Sequence, residues 1–227
     1  LMREMRDASL PGMLEQAEGY ELDAALSAGT RGGLEYYDCV HSKGAQVLYL
    51  VANEGTGATA AIAVRMARDE IHRALEAGST ARKALAHTNR VLHKRLPGGV
   101  CAKATLIELL GDEAKLYQAG ARSAALVCSA GDAEEFHAEG IALGLDDGPV
   151  FEKGLRSEKI PLRQGTRVVL ANEAAMRLDG FVDAVIEHSP KHTTPFLNMV
   201  LGEVEAEATS IARWIAASRA ASSSVHG

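Results

Sequence analysis

The chain has 227 residues, 47% hydrophobic and only 4% aromatic, enough for one sizeable core or at most two small ones. Lys and Arg number 24 against 30 Asp and Glu, a formal net charge of −6, and no Lys/Arg block stands out, which argues against a nucleic-acid binder. No run approaches the roughly 18 to 20 uncharged apolar residues of a membrane span, and Leu1 to Asp7 is too charged for a signal-peptide core. A soluble, cytoplasmic chain is the expectation.

In chain order, Leu1 to Gln16 has roughly helical apolar spacing interrupted by Pro11, which predicts a short helix breaking near Ser9. The sequence starts at Leu with a charged, helix-patterned stretch, as expected of a domain cut from a longer protein or of a tag scar. Tyr20–Ala28, Leu34–His41 and Gln46–Asn53 read as strands between glycine turns, the third carrying the apolar Val47-Leu48-Tyr49-Leu50-Val51 of a covered strand. From Ala58 to Leu96 the period becomes helical, with Ile62, Met66, Ile71 and Leu75 on one face, a break at Gly78-Ser79-Thr80, and a second helix. Ser79 or Thr80 suits its N-cap, since a hydroxyl satisfies first-turn amides.

Val100–Phe151 returns to short strands broken at Gly111-Asp112, Gly120 and Gly131-Asp132, which predicts an antiparallel meander. After Gln164-Gly165 come the apolar run Val168-Val169-Leu170, a helical segment through Met176, another from about Thr194 to Glu207, and a last strand ending near Ala217. The small, polar residues from Ala220 read as a frayed tail. This order predicts an α+β fold with helices packed on antiparallel sheets.

Several chemistries find little support. Cys39, Cys101 and Cys128 are widely spaced and form no CxxC pair, as buried free thiols would be. Glu54-Gly55-Thr56-Gly57-Ala58-Thr59-Ala60 fits GxGxxA, but a dinucleotide fold then needs a second parallel strand ending in an acid, and the chain is helical there. A nucleotide site on Gly55-Thr56-Gly57 stays open as a remote alternative. Cys39 and His41 alternate on one strand, a spacing better explained by chance than by a metal site. His188 and His192 are split by Pro190, and no GxSxG elbow is present.

The motifs taken together carry a family resemblance. Ser9-Leu10-Pro11 with Gly19-Tyr20-Glu21, Gly32-Gly33-Leu34-Glu35-Tyr36-Tyr37-Asp38, Ala52-Asn53-Glu54-Gly55-Thr56-Gly57 before Ala60-Ala61, and Asn89-Arg90-Val91-Leu92 follow one another in order. Ala119-Gly120-Ala121, Leu143-Gly144 and Leu170-Ala171-Asn172-Glu173 complete the series. The chain from about Leu10 to Ala217 resembles the SpoIIE/RsbU-type serine/threonine phosphatases, the bacterial branch of the metal-dependent type 2C phosphatases. The resemblance implies an αββα sandwich, two antiparallel sheets flanked by helices. It divides the chain into a linker or docking helix over 1–17, the phosphatase-like domain over 18–218 and a tail over 219–227.

In that family aspartates hold two Mn²⁺ or Mg²⁺ ions that activate a water for attack on a phosphoserine or phosphothreonine. Hard cations need anionic oxygen ligands. By resemblance the first aspartate position falls on Glu35 or Leu34, the second on Ala52 or Asn53, the third on Asn172, and the last has Glu207-Ala208 as its nearest counterpart. Asp38, Gly55, Gly57 and Glu173 complete the vestigial metal cleft. Asn53 and Asn172 also suit plain loop caps, and Glu35 and Glu207 plain solvated carboxylates.

Loss at every ligand position implies a pseudophosphatase without catalytic residues, metal or cofactor. Such a module binds a regulatory protein, with a phosphorylatable anti-sigma-factor antagonist as the type of partner the family implies. The N-terminal helix is a candidate for homodimerisation. The alternative is a weak Mn²⁺- or Mg²⁺-dependent phosphatase with a single-metal site on Glu35, Asp38 and Glu207.

Overall fold

The computed structural model describes residues 14, 19–26, 35–53, 57–121, 124–129, 131–191, 193–204 and 213–219. Strand β1 (Tyr20–Leu26) is followed by β2 (Tyr36–Ser42) and β3 (Ala45–Ala52), then by helices α1 (Ala58–Glu76) and α2 (Ala81–Arg95). Strands β4 (Lys103–Leu109), β5 (Glu113–Ala119), β6 (Ala124–Ser129) and β7 (Asp132–Phe136) come next. Helix α3 (Pro149–Gly154) and strands β8 (Ser157–Pro161) and β9 (Arg167–Ala171) precede α4 (Glu173–Met176), α5 (Phe181–His188), α6 (Thr193–Val204) and β10 (Arg213–Arg219).

The strands form two five-stranded sheets, ordered β2-β3-β4-β5-β8 and β1-β10-β9-β6-β7, and every strand pair is antiparallel. Alternation along each strand separates three layers of core. Tyr36, Val40, Val47, Tyr49 and Val51 face α1 and α2, where Val64, Ile71, Leu75, Leu85 and Leu92 meet them. Cys39, Leu48, Leu50, Ile107, Leu116, Val168 and Leu170 lie between the sheets. Val169, Ala171, Leu126 and Cys128 face α5 and α6 through Phe181, Val185, Phe196 and Val200. The result is the helix, sheet, sheet, helix sandwich that the resemblance implies.

Three sequence expectations need correction. The Val100–Phe151 meander is divided: β4 and β5 belong to one sheet, β6 and β7 to the other, and Phe151 sits in α3. Glycines make the division, for Gly120 at φ +66 turns the chain out of β5, and its amide bonds the Gly140 carbonyl at 3.0 Å. Ile62 does not join the buried stripe of α1; it is 53% exposed, and the face is built on Ala60, Ala63, Val64, Ala67, Ile71 and Leu75. Small residues there let the helix lie close to the sheet. The strand β8 and the helix α5 have no counterpart in the sequence reading.

Helix α2 starts as a capped segment should, whereas α1 starts at Gly57 without a side-chain cap. Thr80 Oγ1 accepts from Lys83 N at 3.4 Å, and the buried Glu108 carboxylate accepts from Ala81 N at 2.6 Å. An anionic oxygen at a helix N-terminus satisfies orphan amides and complements the dipole. From α1 the chain passes directly to α2, and every pair among the described strands is antiparallel, which does not match the parallel β-α-β unit that a dinucleotide site at Gly55-Thr56-Gly57 requires. Gly55 and Thr56 lie outside the described residues, whereas Gly57, at φ +92, is the N-cap of α1. No helix among the described residues is long and apolar enough to cross a membrane.

Candidate functional site

The ends of β3, β4 and β9, with the turn after β5, surround a small cleft of about 70 Å³ at one edge of the sandwich. Glu35, Leu50, Ala52, Asn53, Lys103, Ala104, Thr105, Ala121, Asn172 and Glu173 line it. Five of the residues singled out in the sequence therefore converge, although Glu35 and Asn172 are 137 positions apart. Ala121, from the Ala119-Gly120-Ala121 turn, joins them.

Four of the polar side chains that line the cleft have a structural task. Asn172 Nδ2 donates to Glu35 Oε2 at 2.6 Å, which ties the segment before β2 to the end of β9 and so bridges the two sheets. Asn172 Oδ1 accepts from Ala175 N at 2.8 Å and caps α4. Glu173, in the first turn of α4, is bonded to Arg177 one turn on. Asn53 Nδ2 donates to the Cys101 carbonyl at 2.6 Å and pins the end of β3 to the segment before β4. The asparagines act as caps and ties, the plainer of their two sequence readings.

Lys103 also lines the cleft, and the sequence reading missed it. Its signal was present: one basic residue at the start of the apolar run Ala102-Lys103-Ala104-Thr105-Leu106. By alternation Lys103 and Thr105 fall on the face of β4 turned toward the other sheet, where a strand of ordinary composition carries apolar residues such as Ile107 and Leu109.

Asp38 is not part of this cleft. On β2 it alternates with Tyr37 and Cys39 and faces α1, where its carboxylate accepts from Arg68 Nη2 at 2.9 Å and lies 3.3 Å from His72 Nδ1 and 3.4 Å from the Tyr49 hydroxyl. Tyr49 OH and His72 Nδ1 are themselves 3.0 Å apart. Burial, with Asp38 beside it, pushes the Tyr49 hydroxyl well above the usual phenol range. This cluster clamps α1 onto the sheet. Glu35 and Asp38 therefore serve opposite faces of one sheet, so these two members of the single-metal set do not meet, and the third, Glu207, lies outside the described residues.

The described donors do not fit a pair of divalent cations. Two such ions about 4 Å apart repel by on the order of 15 kcal/mol at an effective dielectric of about 20, and clustered carboxylates must offset this. The cleft offers Glu35, bonded to an amide, Glu173, paired with Arg177, two neutral amides, and the Lys103 cation. No group of three His, Cys, Asp or Glu among the described residues is placed to hold a metal ion. Gly55 and Glu207 lie outside the described residues.

Comparison with known proteins agrees with the fold. The chain is similar to the RsbU and RsbW domains of Rv1364c from Mycobacterium tuberculosis, at TM-score 0.75 and 19% identity, over 93% of this chain and 62% of that one. It is also similar to the SiaA-PP2C domain of Pseudomonas aeruginosa, at TM-score 0.70 and 16% identity, over 87% and 85% of the two chains. A third likeness is to the PP2C phosphatase domain and a fragment of the regulatory domain of the cell fate determinant SpoIIE from Bacillus subtilis, at TM-score 0.67 and 13% identity, over 88% and 63%. The chain thus spans less than two thirds of the first and third of these structures, and at such identities the likeness speaks to the fold alone. No curated protein matches the sequence. The model of the Stage II sporulation protein E (SpoIIE) family matches residues 43–184, more than half of the sequence, and the chain belongs to that family.

Proposed function

We propose that this chain is a non-catalytic member of its family, a pseudophosphatase that works in signalling by binding a regulatory protein. The observation that carries the reading is the cleft, where an amide–carboxylate bond joins Asn172 to Glu35 at positions that resemble the family's metal ligands, and where Lys103 is also among the lining residues. A cation already on the chain opposes entry of a divalent ion by the same Coulomb term that carboxylates would supply with opposite sign. The family resemblance makes a phosphorylatable regulator, of the anti-sigma-factor antagonist type, the partner class to test first. Homodimerisation through residues 1–17 finds no support in Leu14, the described residue of that stretch, which is buried against the core between the sheets.

Turnover of p-nitrophenyl phosphate in millimolar Mn²⁺ or Mg²⁺ tests the reading. We expect release of p-nitrophenol no faster than in buffer with the metal alone. Metal-dependent turnover that disappears with EDTA would overturn it.

A further inference from the structure

The outer helical layer carries a second concavity, far from the cleft in the fold, for which the phosphatase-like site has no use. It is a groove of about 550 Å³ between α1 and α2. Ala74 from α1, Ala77 just past its end and Ala86 from α2 line it, small side chains that let another backbone come close. Arg73, Lys83, His87 and Arg90 line it from the two helices, beside the carboxylates of Glu70 and, from α3, Glu152. Arg73 is shared with the buried Glu70, at 2.9 Å, and His87 lies 3.3 Å from the same carboxylate. Lys83 and Arg90 are exposed, and neither has an acidic partner among the described residues.

The charge is segregated along the sequence as well. Five of the 15 residues of α2 are Lys or Arg, none is Asp or Glu, and yet the whole chain carries −6. A helix of so uniform a sign, whose Lys83 and Arg90 have no acidic partner among the described residues, is a field aimed outward. Its large exposed apolar side chains are absent too: Ile62, Leu145, Val150 and Met199, the exposed large hydrophobic residues among those described, all lie outside the groove. That composition suits a carboxylate-bearing peptide better than a lipid surface, which rewards an apolar face beside the basic one.

We propose that the α1–α2 groove docks an acidic segment of a partner protein, its backbone over the alanine floor and its carboxylates on Lys83, Arg90 and Arg73. The proposal rests on the reading of the chain as a partner-binding module, but its surface is separate from the cleft, so turnover reads one and peptide binding the other.

The test is fluorescence anisotropy at low salt with a fluorescein-labelled peptide of about twelve residues alternating Glu and Ala, long enough to span the groove in extended form. A peptide of equal length with Lys in place of half the Glu is the control. The Glu/Ala peptide is expected to bind and the control not. Lys83→Glu with Arg90→Glu should weaken binding by about tenfold or more, as reversed charges do at a complementary surface. Ala86→Trp, which fills the groove and leaves its charge alone, should weaken it as well, and unchanged far-UV circular dichroism checks that both variants fold. Equal affinity in the charge-reversed variant would overturn the proposal, as would full affinity in Ala86→Trp, which marks diffuse attraction. Sedimentation with phosphatidylserine vesicles in the absence of peptide binding would also overturn it.

Discussion

Asn172 serves two partners with one side chain: its amide donates to Glu35 and its carbonyl caps α4. An aspartate at that position would keep the cap but set a second carboxylate against Glu35, in place of a donor at 2.6 Å. Two carboxylates so close cannot both ionise without cost. Asn172→Asp is therefore expected to lose about 2 kcal/mol at pH 7. The pair would bind a proton more tightly folded than unfolded, so the loss grows as pH rises through the ordinary carboxylate range near 4 and shrinks below it. Urea unfolding at pH 7 and at pH 4 checks both the size and the sign. An equal midpoint at the two values, each compared with the parent chain, would contradict the geometry. Asn172, Asn53, Ala52, Glu35 and Glu173 could be chosen from the sequence because the motif order supplied long-range pairing that local periodicity lacks. Asp38 misled because motif position does not say which face of β2 a side chain takes, and Lys103 was passed over because a single basic residue in a strand has no motif.

At the scale of elements, the long helices were legible where local chemistry decides them. Gly78-Ser79-Thr80 broke the helical run, and Thr80 is the N-cap of α2, while Glu108 on β4 supplies the oxygen for Ala81 N from a distance no local pattern records. Thr80→Ala is expected to cost about 1 kcal/mol. For a chain of this length that lowers Tm by about 2 to 4 °C, which calorimetry would read. No change would mean that Glu108 alone holds the first turn. The stripe of α1 was misjudged because size was taken for burial: alanines touch the sheet and Ile62 faces out. Strand β8 escaped notice because it is an edge strand with Ile160 as its buried side chain, so its Ser157-Glu158-Lys159 stretch shows no alternation. Edge strands carry charge for the same reason that hides them, since charge discourages pairing with other chains.

At the scale of the whole molecule, the sandwich follows from strands with two apolar faces in each sheet, one toward the partner sheet and one toward helices. The sequence displayed the strands but not their division between sheets, because Gly120 and Gly140 make that division by close approach. A Cβ on Gly140 would stand 2.0 Å from the Gln118 carbonyl oxygen, a constraint written only in the folded state. The resemblance to a phosphatase fold supplied the architecture, while the proposed departure from its chemistry rests on a few cleft residues. The central claim is that the cleft holds itself together without divalent metal, and a thermal melt with and without millimolar Mn²⁺ tests it directly. A resident site at a hundred times its dissociation constant would add about 2.7 kcal/mol, about 5 to 10 °C for a domain of this size. The account predicts superimposable melts; a rise of that magnitude, reversed by EDTA, would contradict it.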